Sequence, residues 1–236
     1  MDKVITFEIW GDYAHFKKIE TTKSPLTYSI PTGTALSGLI AGIMGYKRDS
    51  YYNVFSRDNI EFAVKLEKPV NKIRVNQNLI NTANPPYFNL NKDNPRTQIP
   101  YEYLSNPRYR VYLGLKDENI LDGLTEKLRS HKTVFTPFLG LSEHIANFKY
   151  VGEFKPIQRE AEKVQIDSVL PKNKVDIDFS EIEEGMRWVV ESIPLYMNEE
   201  RVVKEYAEVI FDSASNTIPL EKADYFAIGE SNVIFL

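Results

Sequence analysis

A helix built on small apolar residues and punctuated by glycine sets the strictest condition on this chain. The segment 35–45 reads ALSGLIAGIMG, with Leu36, Leu39, Ile40 and Ile43 recurring at helical spacing. Gly38, Gly42 and Gly45 cost helix propensity, so the pattern predicts a close neighbour on their face. Thr32 or Thr34, after Pro31, suits the cap of a helix from about Thr34 to Gly45. Its amino end is expected to be bare, offering unpaired N–H groups and partial positive charge to a phosphate. Just ahead lie Lys17, Lys18, Thr21, Thr22, Lys23 and Tyr28, with Thr32, Gly33 and Ser37 at the turn. These are cations, hydroxyls and a ring. The same spacing also fits an ordinary amphipathic helix behind a solvated loop.

The 236 residues suffice for one large domain or two small ones, and 42% apolar with 26% charged residues reads as globular. No apolar run is long enough to span a membrane and no signal peptide is visible, and the chain has no cysteine, which favours the cytoplasm. Thiolate metal sites are thereby excluded, and three histidines at unrelated spacings predict no metal or cofactor. The net charge of −4 hides an asymmetry. Residues 65–110 carry 8 basic against 3 acidic side chains, an excess of +5, while residues 157–236 carry 8 against 17, or −9. A basic middle beside an acidic final third predicts one anion-binding face and another turned to solvent or a basic partner.

In chain order, strands are expected at Lys3–Trp10, Ile60–Leu66, Tyr109–Leu115 and Ile145–Phe154, with a second helix over Asp117–His131. Between the second and third strands, Val70 to Pro107 is rich in Asn, Pro and aromatic residues, and IRVNQNLI within it suits a hairpin arm. The resulting order (strand, helix, strand, insertion, strand, helix, strand) predicts an α+β fold with a ferredoxin-like, RRM-like amino-terminal domain over residues 1–156. The insertion spans about 68–108. Residues 157–236 are expected to form a small β-rich domain, with strands near Gln165–Leu170, Lys174–Phe179, Arg187–Tyr196, Val202–Phe211 and Tyr225–Leu236.

Two runs carry a resemblance. LTYSIPTGTALSGLIAGIMG fits Tyr-x-x-Pro-x-x-x-Ala-x-x-Gly-Leu at Tyr28, Pro31, Ala35, Gly38 and Leu39. TPFLGLSEHIANF fits Pro-x-Leu-Gly-x-Ser-Glu at Pro137, Leu139, Gly140, Ser142 and Glu143. Together they resemble the fifth family of CRISPR-associated Cas proteins, and the wording is most similar to type I-B subunits. The resemblance implies a non-catalytic subunit of a type I interference complex (Cascade) that holds the 5′ handle of the guide RNA. It implies contact with the backbone and large subunits, with target DNA reached only indirectly, and identifies the insertion with the family's thumb.

Single-stranded RNA needs cations for its backbone and flat surfaces for unstacked bases. Lys72, Arg74, Arg96 and Arg108 are candidates for the first, and Tyr87, Phe88, Tyr101, Tyr103 and Tyr109 for the second. One branch of the family, in type I-C systems, cleaves precursor guide RNA without metal. For that chemistry His131 and Lys132 form a suggestive pair, with Tyr28 or Tyr46 assisting, although a histidine at a helix end often only caps carbonyls. The run around Tyr28 departs from the wording of that branch. His15 has no identifiable acid–base partner, and the Glu143-His144 pair reads as structural.

Overall fold

The computed structural model describes residues 2–21, 23–81 and 95–236. β1 (Val4–Trp10) leads into three two-residue strands, β2 (Tyr13–Ala14), β3 (Phe16–Lys17) and β4 (Thr27–Tyr28), and then α1 (Gly33–Met44). There follow β5 (Ile60–Leu66), β6 (Lys72–Ile80), β7 (Arg96–Ser105), β8 (Arg108–Leu115), α2 (Glu118–Arg129) and β9 (Asn147–Phe154). The last third adds β10 (Ile157–Ile166), β11 (Leu170–Pro171), β12 (Asp176–Ile177), β13 (Trp188–Met197), β14 (Val203–Asp212), β15 (Ile218–Ile228) and β16 (Ser231–Val233). Among the described residues the fold is therefore mostly β with two α-helices. Neither of these helices is long and apolar enough to cross a membrane.

The central sheet has the order β5-β8-β1-β9, every neighbouring pair antiparallel. β1 alternates: Ile5, Phe7 and Ile9 point into the main core, while Val4 joins Ala63 and Tyr112 in a separate cluster. α1 buries Leu36, Leu39, Ile40 and Ile43, the stripe its spacing predicts, and α2 buries Leu121, Leu124 and Leu128. Asp117 caps α2 through hydrogen bonds from the N–H groups of Asn119 and Ile120.

Both layers around this sheet draw on the final third. Ile193, Leu195, Val209, Phe211 and Leu236 belong to the main core with α1, and Ile228 and Val233 pack with Val4, Ala63 and Tyr112. The core thus crosses position 156.

The hairpin arm expected at IRVNQNLI is realised: β6 pairs with β7 in a regular ribbon, registered from Lys72↔Leu104 to Ile80↔Arg96. The final third departs from expectation in two places. The strand expected over Lys174–Phe179 is reduced to the two-residue β12, set between 3₁₀ turns at Lys172–Lys174 and Phe179–Glu181. The segment 157–164, which lies outside the expected strands, is the start of β10; seven of its eight residues are solvent-facing or half-buried, so no apolar alternation marks it.

Candidate nucleic-acid interface

The β6–β7 ribbon is rooted in a three-stranded sheet, where Tyr13 and Ala14 of β2 pair with Ser105 and Leu104, and beyond that root most of its described residues are exposed. Directly opposed residues share a face, and successive ones alternate. Ile73, Val75, Gln77 and Leu79 lie opposite Tyr103, Tyr101, Ile99 and Thr97, giving one apolar and aromatic face. Lys72, Arg74, Asn76, Asn78 and Ile80 lie opposite Leu104, Glu102, Pro100, Gln98 and Arg96, giving a face of amides and cations. Arg74 and Arg96 are exposed and have no ion-pair partner among the described residues. Val75, Leu79 and Ile80 remain 37–41% exposed.

The root of the ribbon is tied to the body. Lys72 Nζ donates to the Thr27 carbonyl at 3.0 Å and lies 3.6 Å from Glu102 and 3.4 Å from Glu191. Glu191, a buried residue of β13, also accepts from Lys18 Nζ at 3.2 Å, from Ser29 Oγ at 3.0 Å and from the Ser29 N–H at 2.9 Å. Two of the predicted phosphate ligands, Lys18 and Lys72, are therefore already neutralised within the chain. Lys17 and Lys23 are exposed and carry no such pair among the described residues.

Beside the apolar face lies a ring cluster. His15, only 1% exposed, is 5.5 Å from Tyr101 and 5.7 Å from Tyr103 between centroids, and His144 stands edge-on to Tyr103 at 4.9 Å. Tyr13, 44% exposed, completes it at 6.3 Å from Tyr103. His15 Nδ1 donates to the Glu102 carbonyl at 2.7 Å, which leaves the lone pair of the neutral ring on Nε2. Neither that Nε2 nor His144 Nε2 has a hydrogen-bond partner among the described residues. Burial holds the pKa of both rings below the ordinary histidine value; the carbonyl of Glu102 opposes this at His15, and Glu143 opposes it at His144. The second sequence motif closes over this cluster: the His15 N–H donates to the Leu139 carbonyl at 3.0 Å, and Gly140 abuts the His15 backbone.

Several predicted ligands serve the fold instead. The amino end of α1 is not bare. Thr32 Oγ1 caps the Ala35 N–H, and a Cβ on Gly33 would lie 2.4 Å from the Leu195 carbonyl oxygen, so β13 covers that turn. Ser37 is buried on α1, and nothing lies within 4 Å of a Cβ built on Gly42, so no close neighbour explains that glycine. Thr21 staples its own loop, donating to the Lys18 carbonyl and accepting from the Leu26 N–H. Tyr28 is buried beneath Lys18, and burial, with Glu20, pushes its hydroxyl up to about 12. Tyr103 and Tyr109 are buried as well, and the Tyr109 hydroxyl donates to the Ser29 carbonyl. Arg108 pairs with Glu8 and lies over the Trp10 ring at 5.0 Å. Tyr101 alone of the predicted rings within the described residues keeps partial exposure on the ribbon; the candidates Thr22, Tyr87 and Phe88 lie outside those residues.

His131, at φ +53° just past α2, stacks on Phe148 at 4.3 Å, and Tyr46 packs edge-on to Phe55. No hydrogen bond or ring contact joins His131 to Tyr46 among the described residues.

The family described as "CRISPR-associated protein (Cas_Cas5)" matches residues 4–216. The chain belongs to the CRISPR-associated Cas5 family. Among solved structures, a chain of a "CRISPR RNA-guided surveillance complex" superposes with a TM-score of 0.58 at 13% identity, over 92% of this chain and 91% of that one. A CRISPR protein from Archaeoglobus fulgidus gives 0.57 at 14% identity, over 98% of each chain. These likenesses show a shared fold. A comparison with curated proteins gave no match.

Within this Cas5 chain, sequence reasoning passed over Glu191 and Tyr13 and set His144 aside as structural. Glu191 sits in a strand 119 residues from Lys72, and nothing local distinguishes it from the other acids of the final third. Tyr13 was readable as a ring next to His15, but its neighbours come from β7 and from the loop after α2.

Proposed function

We propose that this chain is a non-catalytic RNA-binding subunit of a CRISPR surveillance complex, holding the 5′ handle of the guide RNA with its ribbon. The observation that carries the reading is the exposed outer part of the β6–β7 face that bears Arg74 and Arg96 among amide side chains, two cations with no ion-pair partner among the described residues. A two-stranded ribbon is marginal alone in water, so one whose outer part is largely exposed fits a protein that is completed by partners. The solved relative named for a surveillance complex points the same way. We read the amino-terminal sheet as ferredoxin-like, because strand order β5-β8-β1-β9 with α1 and α2 as crossovers is that layout. Its outer face is not open for bases at one end, where Ile228 and Val233 cover Val4 and Tyr112. We assign the subtype to I-B, with the backbone and large subunits of Cascade as neighbours, on the motif wording alone.

The test is RNA binding by the intact chain. Sequencing of copurified RNA should show one uniform 5′ end. Arg74→Ala with Arg96→Ala should weaken binding and lower the salt slope by about 0.7 for each phosphate no longer neutralised. An unchanged slope places the phosphates elsewhere. Loss of precursor cleavage on His131→Ala would replace the binding reading with the nuclease one; its stacking on Phe148 supports a structural role.

A further inference from the structure

We infer that Glu191, supplied by the acidic final third, is the charged anchor that helps fix the direction of the ribbon, on its β6 side, and of the basic loop. Only its consequence for RNA rests on the binding reading above. The Glu191 side chain is 6% exposed and gathers donors from two distant segments. Oε1 takes Lys18 Nζ at 3.2 Å, Ser29 Oγ at 3.0 Å and Lys72 Nζ at 3.4 Å, and Oε2 takes the Ser29 N–H at 2.9 Å. Lys72 opens β6, Lys18 follows β3, and Ser29 follows β4. One carboxylate therefore joins β13, the loop before α1 and the point where the ribbon departs.

On the β7 side the root is held by pairing with β2, Tyr13↔Ser105 and Ala14↔Leu104, and by the buried Tyr103 and Leu104; on the β6 side the grip is the Lys72 ammonium. A carboxylate buried to this degree keeps its partners close, because leaving it unpaired is far costlier than the pair is worth. Lys72 is gripped from three sides, by Glu191, Glu102 and the Thr27 carbonyl, and Lys18 is also held over the Tyr28 ring at 5.2 Å. With two ammonium groups against two carboxylates the cluster is close to neutral. Its role is orientation, and attraction of phosphate falls to Lys17, Arg74 and Arg96.

Amide hydrogen exchange of the free, full-length protein tests this. Glu191→Gln keeps the shape and removes the charge. Exchange in β6 and β7 should accelerate roughly tenfold or more, the scale of one missing charge-assisted hydrogen bond. Amides of β1 and β8 should keep their rates. Lys72→Gln, at the more exposed partner, should give the same acceleration, and the double variant no more than either alone. Binding of a single-stranded RNA oligonucleotide should fall several-fold with its salt slope unchanged. Unchanged ribbon exchange overturns the inference, as does equal acceleration throughout the central sheet. Tighter binding with a slope steeper by about 0.7 per freed cation also overturns it, since the carboxylate would then be occupying a phosphate's place. Because exchange is read without RNA, a ribbon that loosens in a chain that binds no RNA refutes the binding reading alone.

Discussion

Gly140 sits at φ +91°, and a Cβ there would meet the His15 carbonyl oxygen at 1.9 Å. Gly140→Ala should therefore lose stability by about 1–3 kcal/mol from the backbone alone, and more from the clash, measured by chemical denaturation. Gly42 is the opposite case. A methyl group there meets open space, so Gly42→Ala should gain about 0.5–1 kcal/mol. The two histidines give a pH dependence of definite sign. Burial lowers the folded-state pKa of His15 and of His144, so below about pH 6.5 the unfolded chain binds more protons than the folded one. Their contribution is complete above that value and is lost as pH falls through the folded-state pKa values. Stability measured from pH 7.5 to 5 should decline, and less steeply in a His15→Asn variant. Glu8 adds a loss at lower pH: burial raises its pKa, but hydrogen bonds from Arg108 and Arg110 outweigh that and hold it below the usual carboxylate range.

Among the elements, the ribbon and α1 teach different lessons. Replacing residues 77–99 by Asn-Gly should leave the body folded with little change in melting temperature, because the ribbon's contribution to the core is Tyr103 and Leu104 at its root. A cut reaching those two residues should destabilise the body markedly. β1, β5, β8, β9 and both helices were legible because each carries a strong period: KVITFEIW alternates, and ALSGLIAGIM keeps one stripe. β10 was not, since Ile157–Ile166 faces solvent over most of its length and carries no apolar period. The cap at Thr32 was legible too. What covered it was not, because Leu195 arrives from a strand more than 160 residues away, and no local signal reports such a neighbour.

At the scale of the molecule, the final third completes the first two rather than standing beside them. Leu195 is 2% exposed and lies in one core with Leu36 and Ile40. Leu195→Ala should cost about 2–5 kcal/mol. Unfolding should remain a single transition, with fluorescence and far-UV circular dichroism coinciding. Two separated transitions would mean that residues 157–236 melt as an independent body. The acidity of that third was plain in the sequence, but its use was not: Glu191, one of its 17 acids, is committed inside the protein.

The alternation along β6–β7 makes the ribbon sensitive to parity. With a side-chain period of two, inserting one residue between Val75 and Asn76 carries every later side chain of β6 to the other face, sending amides to the aromatic side and Leu79 to the cationic one. Inserting two residues restores the faces. Evolutionary or engineered length changes in this ribbon should accordingly be tolerated in even steps and rejected in odd ones, a rule that RNA retention by one- and two-residue insertion variants would reveal directly.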